Sequence, residues 1–411
     1  MKIKYYSLLL LILAVILSSC NDKPSDLAIN MLPDTVQIKG ISTLDTLLIP
    51  SIRVYKARFP LFNYGSVFIG KANGITAVTL SNFAFIPDSL SWLKEDKIES
   101  AVLKILPERY TFGDSTTGNF EFDIRPVLRR WNTDTTNYDS LIISPANYFG
   151  EVIATHNGRI TLKDTLDPIT YQLPKSLIID WLRTEMKYDS TQGKEVPKLI
   201  PNWGIAYIPK ENTNVIHRFT GNRVNQTVTS TIKVTYRDSA NALKSFELSS
   251  GVDMTFLDYP KVDTNDIVIQ DGVNYWTEIF FDLTMIPKLA GIHKARLELF
   301  LDKSKSQQGN VPLDSIIEAN FFRDNASTSV FQYLAGSDES GKYTFNSITS
   351  SAQVWNKETG KGSIVVMPHG TLNQARELEK LVFYGLNAED PAKRPTLKII
   401  YSLNPGNFEP K

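Results

Sequence analysis

The sequence predicts an all-β protein of two tandem β-sandwiches. Three observations lead there: hydrophobic alternation of period two, turn dipeptides between the alternating runs, and one order of elements that occurs twice. Phe120, Phe122 and Ile124 alternate with Glu121 and Asp123. Ala101, Leu103 and Ile105 share one parity, and Ala295, Leu297, Leu299 and Leu301 alternate with Arg296 and Glu298. Successive side chains of a strand point to opposite faces, so each run has one face for a core and one for water. Asn73-Gly74, Asn157-Gly158 and Asp271-Gly272 supply the residues that tight turns need. No long amphipathic helical pattern competes with these runs.

The repeat sets the organisation. Ile98-Glu99-Ser100-Ala101-Val102-Leu103-Lys104-Ile105 is matched by Ile292-His293-Lys294-Ala295-Arg296-Leu297-Glu298-Leu299. Tyr171 stands ten positions before Trp181, and Phe345 ten positions before Trp355. A glycine-led strand follows in each copy, Gly204 to Pro209 and Gly362 to Pro368. Each copy closes on a similar strand, Thr231 to Tyr236 and Thr396 to Tyr401. The expected units are residues 40–240 and 241–403 with a tail at 404–411, and Asp238 to Ser250 is read as the boundary from its Ser, Asn and Ala content.

The N-terminus is a separate unit. Lys2 and Lys4 precede an apolar run from Leu8 to Leu17, which is about half the roughly 20 residues a spanning helix needs. The run ends in Leu17-Ser18-Ser19-Cys20, and Cys20 is the only cysteine. This tetrapeptide resembles the lipobox of bacterial lipoproteins, which implies cleavage of residues 1–19, lipid on Cys20 and a tether over 20–39. The polar stretch Asn21 to Asp26 resembles the surface-export signal of Bacteroidota lipoproteins, diluted by Asn21 and Lys23. The expected location is the cell envelope, as an outer-membrane lipoprotein facing the periplasm or the cell surface. Cleavage removes two of 44 basic residues and none of 44 acidic ones, leaving 42 against 44 and a formal charge of −2. That balance does not favour nucleic acid, and the membrane is reached through lipid rather than charge. With its one thiol alkylated, the mature chain has no disulfide and no thiolate metal site, so stability must come from packing.

The order of elements in the two copies resembles the DNRLRE-type sandwich domains, which are related to carbohydrate-binding modules of jelly-roll shape. The final element stands intact as Arg394-Pro395-Thr396-Leu397-Lys398-Ile399-Ile400-Tyr401. The first copy departs from it, with no Arg-Pro before Thr231 and an insertion from Thr184 to Pro201 after Trp181. The resemblance implies two jelly-roll-like sandwiches over most of residues 55 to 403. Its motifs are packing motifs rather than chemical ones.

In the segment around Trp181, the residues Leu177, Ile178, Trp181 and Leu182 fall on one side of a short helix. Trp181 and Trp355 are thereby read as plugs at one end of each sandwich, against the alternative of exposed platforms for a sugar ring. Catalytic chemistry has little support. His156, His217, His293 and His369 lie far apart, with no His pair at metal-binding spacing and no nucleophile elbow. Glu121 and Asp123 share a strand face as a glycosidase pair could, although alternation alone puts charges there. The reading carries no cofactor. The loops Asp263 to Asp266 and Asp338 to Gly341 offer oxygen ligands of the kind calcium takes, without the full spacing of a calcium loop.

The expected function is a non-catalytic binding or scaffold lipoprotein whose partner is a polysaccharide or another envelope protein. The alternative is an envelope polysaccharide-degrading enzyme on the same scaffold. Sugar rings stack on exposed aromatic side chains, and the candidates not used by the core pattern are Trp131, Tyr138, Tyr148 and Phe149.

Overall fold

The computed structural model describes residues 37–56, 61–62, 65–84, 86–114, 116–131, 145–161, 167–199, 202–222, 230–258, 262, 265–323, 329–370 and 377–403. The fold is all-β, with two large antiparallel sheets and short helices. The first sheet runs in the order Ile169–Gln172, Ile98–Ile105, Thr231–Arg237, Leu243–Asp258, Ile75–Ala84, Ile205–Pro209, Glu121–Pro126, Ala154–Asn157. Ser66–Ala72, Val215–Thr220 and Pro107–Gly113 extend from it. The second runs Gln37–Ser42, Thr396–Leu403, Gly291–Phe300, Lys342–Phe345, Ser329–Ser337, Ile316–Phe322, Lys361–Pro368, Tyr275–Asp282, Ile267–Gln270, Lys380–Phe383. Among the described residues no helix is long and apolar enough to cross a membrane.

The repeated sequence elements occupy matching places in the two sheets. Ala101 pairs with Val234 of the closing strand, and Ala295 with Ile399. On the other side, Tyr171 pairs with Leu103 and Phe345 with Leu297, so the aromatic before each tryptophan takes the same register position. A short helix follows in each copy, Lys175–Trp181 and Thr349–Glu358. Trp181 stacks on Phe83 at 6.0 Å and Trp355 on Phe281 at 5.0 Å between ring centroids. They are 6% and 2% exposed, which makes them core plugs and removes the platform alternative for both. In the second copy the glycine-led strand is tied to its plug. A Cβ on Gly362 would lie 2.2 Å from the Trp355 ring, so only glycine lets the ring seat there.

The strand pairings draw the units differently from the expected 40–240 and 241–403. Gln37–Ser42 pairs with Thr396–Leu403, and Ser51–Lys56 pairs with Tyr275–Asp282, so the N-terminal strands belong to the second sandwich. At the expected boundary, Asp238 to Ala242 is a hairpin turn. The Asp238 carboxylate accepts the Ala240 and Ala242 N–H groups at 2.9 Å, and Asn241 has φ 64°. The strand after it, Leu243–Asp258, pairs along Ile75–Ala84 inside the first sheet. Ser, Asn and Ala mark a turn and a linker alike, and strand partners this distant leave no local trace. The first sandwich is thus an insertion between Lys56 and Ile267 of the second.

The sandwiches share an apolar seam. Phe68, Tyr110, Phe112 and Ile216 of the first pack with Val273, Tyr275 and Leu378 of the second. Phe112 bridges Gly309, while Asn310 takes the Thr111 N–H on its side chain at 2.9 Å and donates to the Arg109 carbonyl at 2.7 Å. The loop before Ile316–Phe322 therefore adds to the edge strand Pro107–Gly113. Beside it, the Tyr110 hydroxyl accepts the Leu378 N–H at 2.7 Å. Glu379, 1% exposed, accepts the Gly309 N–H at 3.2 Å on Oε1. Burial and then the Glu377 charge push the Glu379 carboxyl up to about 8. A carboxyl raised in the native state binds its proton more tightly there, so its contribution to stability is lost as pH rises from about 4.5 to about 8. Denaturant titrations of Glu379→Gln across that range should show a flatter fall in stability than the native chain; an unchanged slope would remove Glu379 as its source.

Candidate functional site

The sequence points to Trp131, Tyr138, Tyr148 and Phe149 as exposed rings. The structure corrects this for Trp131 and Phe149, which are 9% and 5% exposed. Both pack over Val78, Leu80, Ala206, Met254 and Phe256, the outer face of the first sheet. The Trp131 indole donates to the Trp203 carbonyl at 2.9 Å, and its ring meets Phe256 edge-on at 6.4 Å. The reason lies in Ile75–Ala84 and its neighbours, which are apolar on both faces and need a cover. Tyr148 is half-buried, with the Arg129 guanidinium 5.8 Å from its ring centre. Tyr138 and Cys20 lie outside the described residues.

The other polar candidates are held by local structure. Glu121 takes the Asn119 side-chain amide at 2.8 Å, and Asp123 takes the Thr155 hydroxyl at 2.9 Å with Arg125 and Lys210 each 3.7 Å away. Asp338 closes a turn on Ser340 and Lys342, and the Ser340 hydroxyl first of all holds its carboxyl below the usual range. Asp263 lies outside the described residues. Among the described residues no group of three or more His, Cys, Asp or Glu side chains is placed to hold a metal ion. His293 meets the Ser402 hydroxyl at 2.7 Å, and His156 meets that of Tyr171 at 2.9 Å. His217 lies in the first core, where burial pushes it down to about 4.

The strongest site is one the sequence does not mark. It lies on the outer face of five neighbouring strands of the second sandwich: Ser51–Lys56, Tyr275–Asp282, Lys361–Pro368, Ile316–Phe322 and Ser329–Ser337. Ile279, Ile364, Val366, Ile317 and Ala319 point into the core, so alternation turns their neighbours outward. Register aligns Arg53, Glu278, Val365, Asn320 and Gln332 in one row across the face. In the next row Tyr55 pairs with Trp276, and Met367 with Glu318 and Glu318 with Leu334.

One end of this face is apolar and the other polar. Trp276, Val365 and Met367 cluster with the half-buried Tyr55 and Phe322, and the Tyr55 and Trp276 rings meet edge-on at 6.4 Å. The exposed Arg53 guanidinium lies 5.6 Å from the Tyr55 ring centre and 5.7 Å from that of Phe280, and it is paired with Glu278. At the polar end Glu318 is 1% exposed and Asn320 0%. Glu318 accepts the Asn320 amide at 2.7 Å and the Gln332 amide at 3.0 Å, and it meets His369 Nδ1 at 3.2 Å. Asn320 Oδ1 is buried and has no hydrogen-bond partner among the described residues. Near His369, burial and then the Glu377 charge push the Asp314 carboxyl up to about 6, while the His369 charge works the other way.

The half-buried Tyr55 and Phe322 rings and the exposed Gln332 and His369 side chains are the groups of this face that can meet a sugar by stacking and by hydrogen bonds to its hydroxyls, while Trp276, 4% exposed, is packed as Trp131 is and is no platform. A depression of about 390 Å³ at the domain boundary, lined by Asn73, Asp266, Gln270 and Lys380 among others, has no aromatic lining residue among the described residues, which offer no stacking partner there. No family model matches the chain, and no curated protein matches it.

Proposed function

We propose that the chain is a lipid-anchored, non-catalytic cell-envelope protein that binds glycans through the outer face of its second sandwich. The observation that carries this reading is the juxtaposition of the half-buried Tyr55 and Phe322 rings with the exposed Gln332 and His369 side chains on one sheet face, backed by the buried Trp276, Glu318 and Asn320. The buried Glu318 carboxylate is satisfied by hydrogen bonds, as a group taken out of water requires, and it orients the exposed Gln332 amide and His369 imidazole on this face. The anchor is Cys20. The segment from Cys20 to Gln37 spans at most about 60 Å when fully extended, and it enters the second sandwich directly. The proposed face therefore belongs to the unit next to the lipid, and the inserted first sandwich stands on it.

Two measurements test the two halves of this reading. Cys20→Ala should lose acyl label and leave the membrane fraction; retention there after a high-salt wash would refute the anchor. Calorimetry of the native chain with cell-wall, capsular and plant glycans should find a ligand. Tyr55→Ala should then weaken it by about 1–3 kcal/mol, with the thermal transition kept. No heat with any of these glycans from folded protein would transfer the face to a protein partner.

One observation favours an enzyme as the second reading. Asp314, in the loop just before Ile316–Phe322 and near His369, has its carboxyl raised to about 6, and a carboxyl raised toward neutrality suits a general acid. In that case the native chain releases reducing ends from a polysaccharide at a rate that falls as pH rises past about 6, and Asp314→Asn abolishes the release. A full screen without product would dispose of this reading.

A further inference from the structure

The insertion that separates the first copy from the second is a free-standing β-hairpin, Thr184–Asp189 paired with Lys194–Leu199 in a two-stranded sheet of its own. In the second copy the chain passes from the helix Thr349–Glu358 almost at once into Lys361–Pro368, so sandwich construction does not require the hairpin.

Its two faces differ. Cross-strand partners share a face, which puts Met186 with Pro197, Thr184 with Leu199 and Tyr188 with Glu195 on one side. The other side carries Glu185 with Lys198, Lys187 with Val196 and Asp189 with Lys194. Met186 is 59% exposed and Tyr188 67%. A two-stranded ribbon is marginal in water, and three or more strands sharing an apolar face are the usual remedy.

The two outer edges are unlike. On Lys194–Leu199, Pro197 can donate no ladder hydrogen bond, and pairing that strand with itself about Val196 would set Lys194 against Lys198. On Thr184–Asp189, antiparallel self-pairing about Met186 sets Glu185 against Lys187 of the second copy and Lys187 against its Glu185. The same register places Thr184 against Tyr188 and joins the two apolar faces into one four-stranded surface.

We infer that the hairpin is a self-association arm, and that a second copy of this chain docks on the edge Thr184–Asp189 in antiparallel register about Met186, on a two-fold axis. A ladder this short gives a weak dimer in solution. Confinement of anchored chains to a membrane surface would raise the effective concentration and strengthen it.

The chain from Asn21 to Lys411 contains no cysteine, so Met186→Cys introduces a single thiol on the axis. Directly paired strand residues have Cα atoms about 4.5–5.5 Å apart, within the span a disulfide bridges. Mild oxidation should link this variant into a covalent dimer, while Leu199→Cys on the blocked strand should stay unlinked. In sedimentation equilibrium, Glu185→Lys should weaken the dimer about tenfold or more, and the swap Glu185→Lys with Lys187→Glu should restore it. A chain that stays monomeric at about 1 mM overturns the inference, as does a dimer indifferent to Glu185→Lys or equal linking of the two cysteine variants.

Discussion

The architecture depends on an antiparallel pairing between the start of the fold and its end. Gln37–Ser42 lies along Thr396–Leu403, and Thr43 locks the junction, its hydroxyl accepting the Leu397 N–H at 3.0 Å. Once these strands and Ser51–Lys56 are placed in the second sandwich, the first sandwich must leave and rejoin it. Two covalent crossings then hold it, and the seam of Tyr110, Phe112, Gly309 and Asn310 adds a third connection without covalent bonds. Two sandwiches linked in simple series would have one crossing and greater freedom.

Three of the buried acids lie in different settings. Glu379 lies in the seam, Glu318 on the outer face of the second sandwich, and Asp253 inside the first, where it takes the Asn222 N–H at 2.7 Å. Burial raises both Glu379 and Asp253. Each has amide or hydroxyl partners, as an acid taken out of water requires. Glu318 differs in meeting two side-chain amides and a half-exposed histidine on a face that also carries aromatic rings. That difference separates a candidate binding surface from interior packing.

The periodic pattern was readable to the level of single registers. Leu103 and Leu297, aligned from local similarity alone, pair with Tyr171 and Phe345 at the same position of each sheet. The plug role of Trp181 and Trp355 follows from their helical spacing and is met in both copies. Trp131 and Phe149 lie where local pattern is silent. Their loop is polar in sequence, and nothing local records that the outer face of the first sheet, Leu80 and Met254 included, needs covering. Glu318 and Asn320 show the converse, since alternation with Ile317, Ala319 and Phe321 reads as an ordinary solvated face.

Sequence by itself determined the all-β class, the duplicated order of elements, the plugs and the turns, because alternation, glycine and proline act within a few residues of one another. The tertiary structure alone decided that the first sandwich is an insertion, that Glu379 sits in the seam between the sandwiches, and that Tyr55 meets Trp276 beside the Glu318 network. These rest on strand neighbours more than 200 residues apart in the chain, such as Ser51–Lys56 with Tyr275–Asp282. Strand pairing is chosen by the whole set of faces and edges that must be buried or matched, and no short window of sequence contains that set.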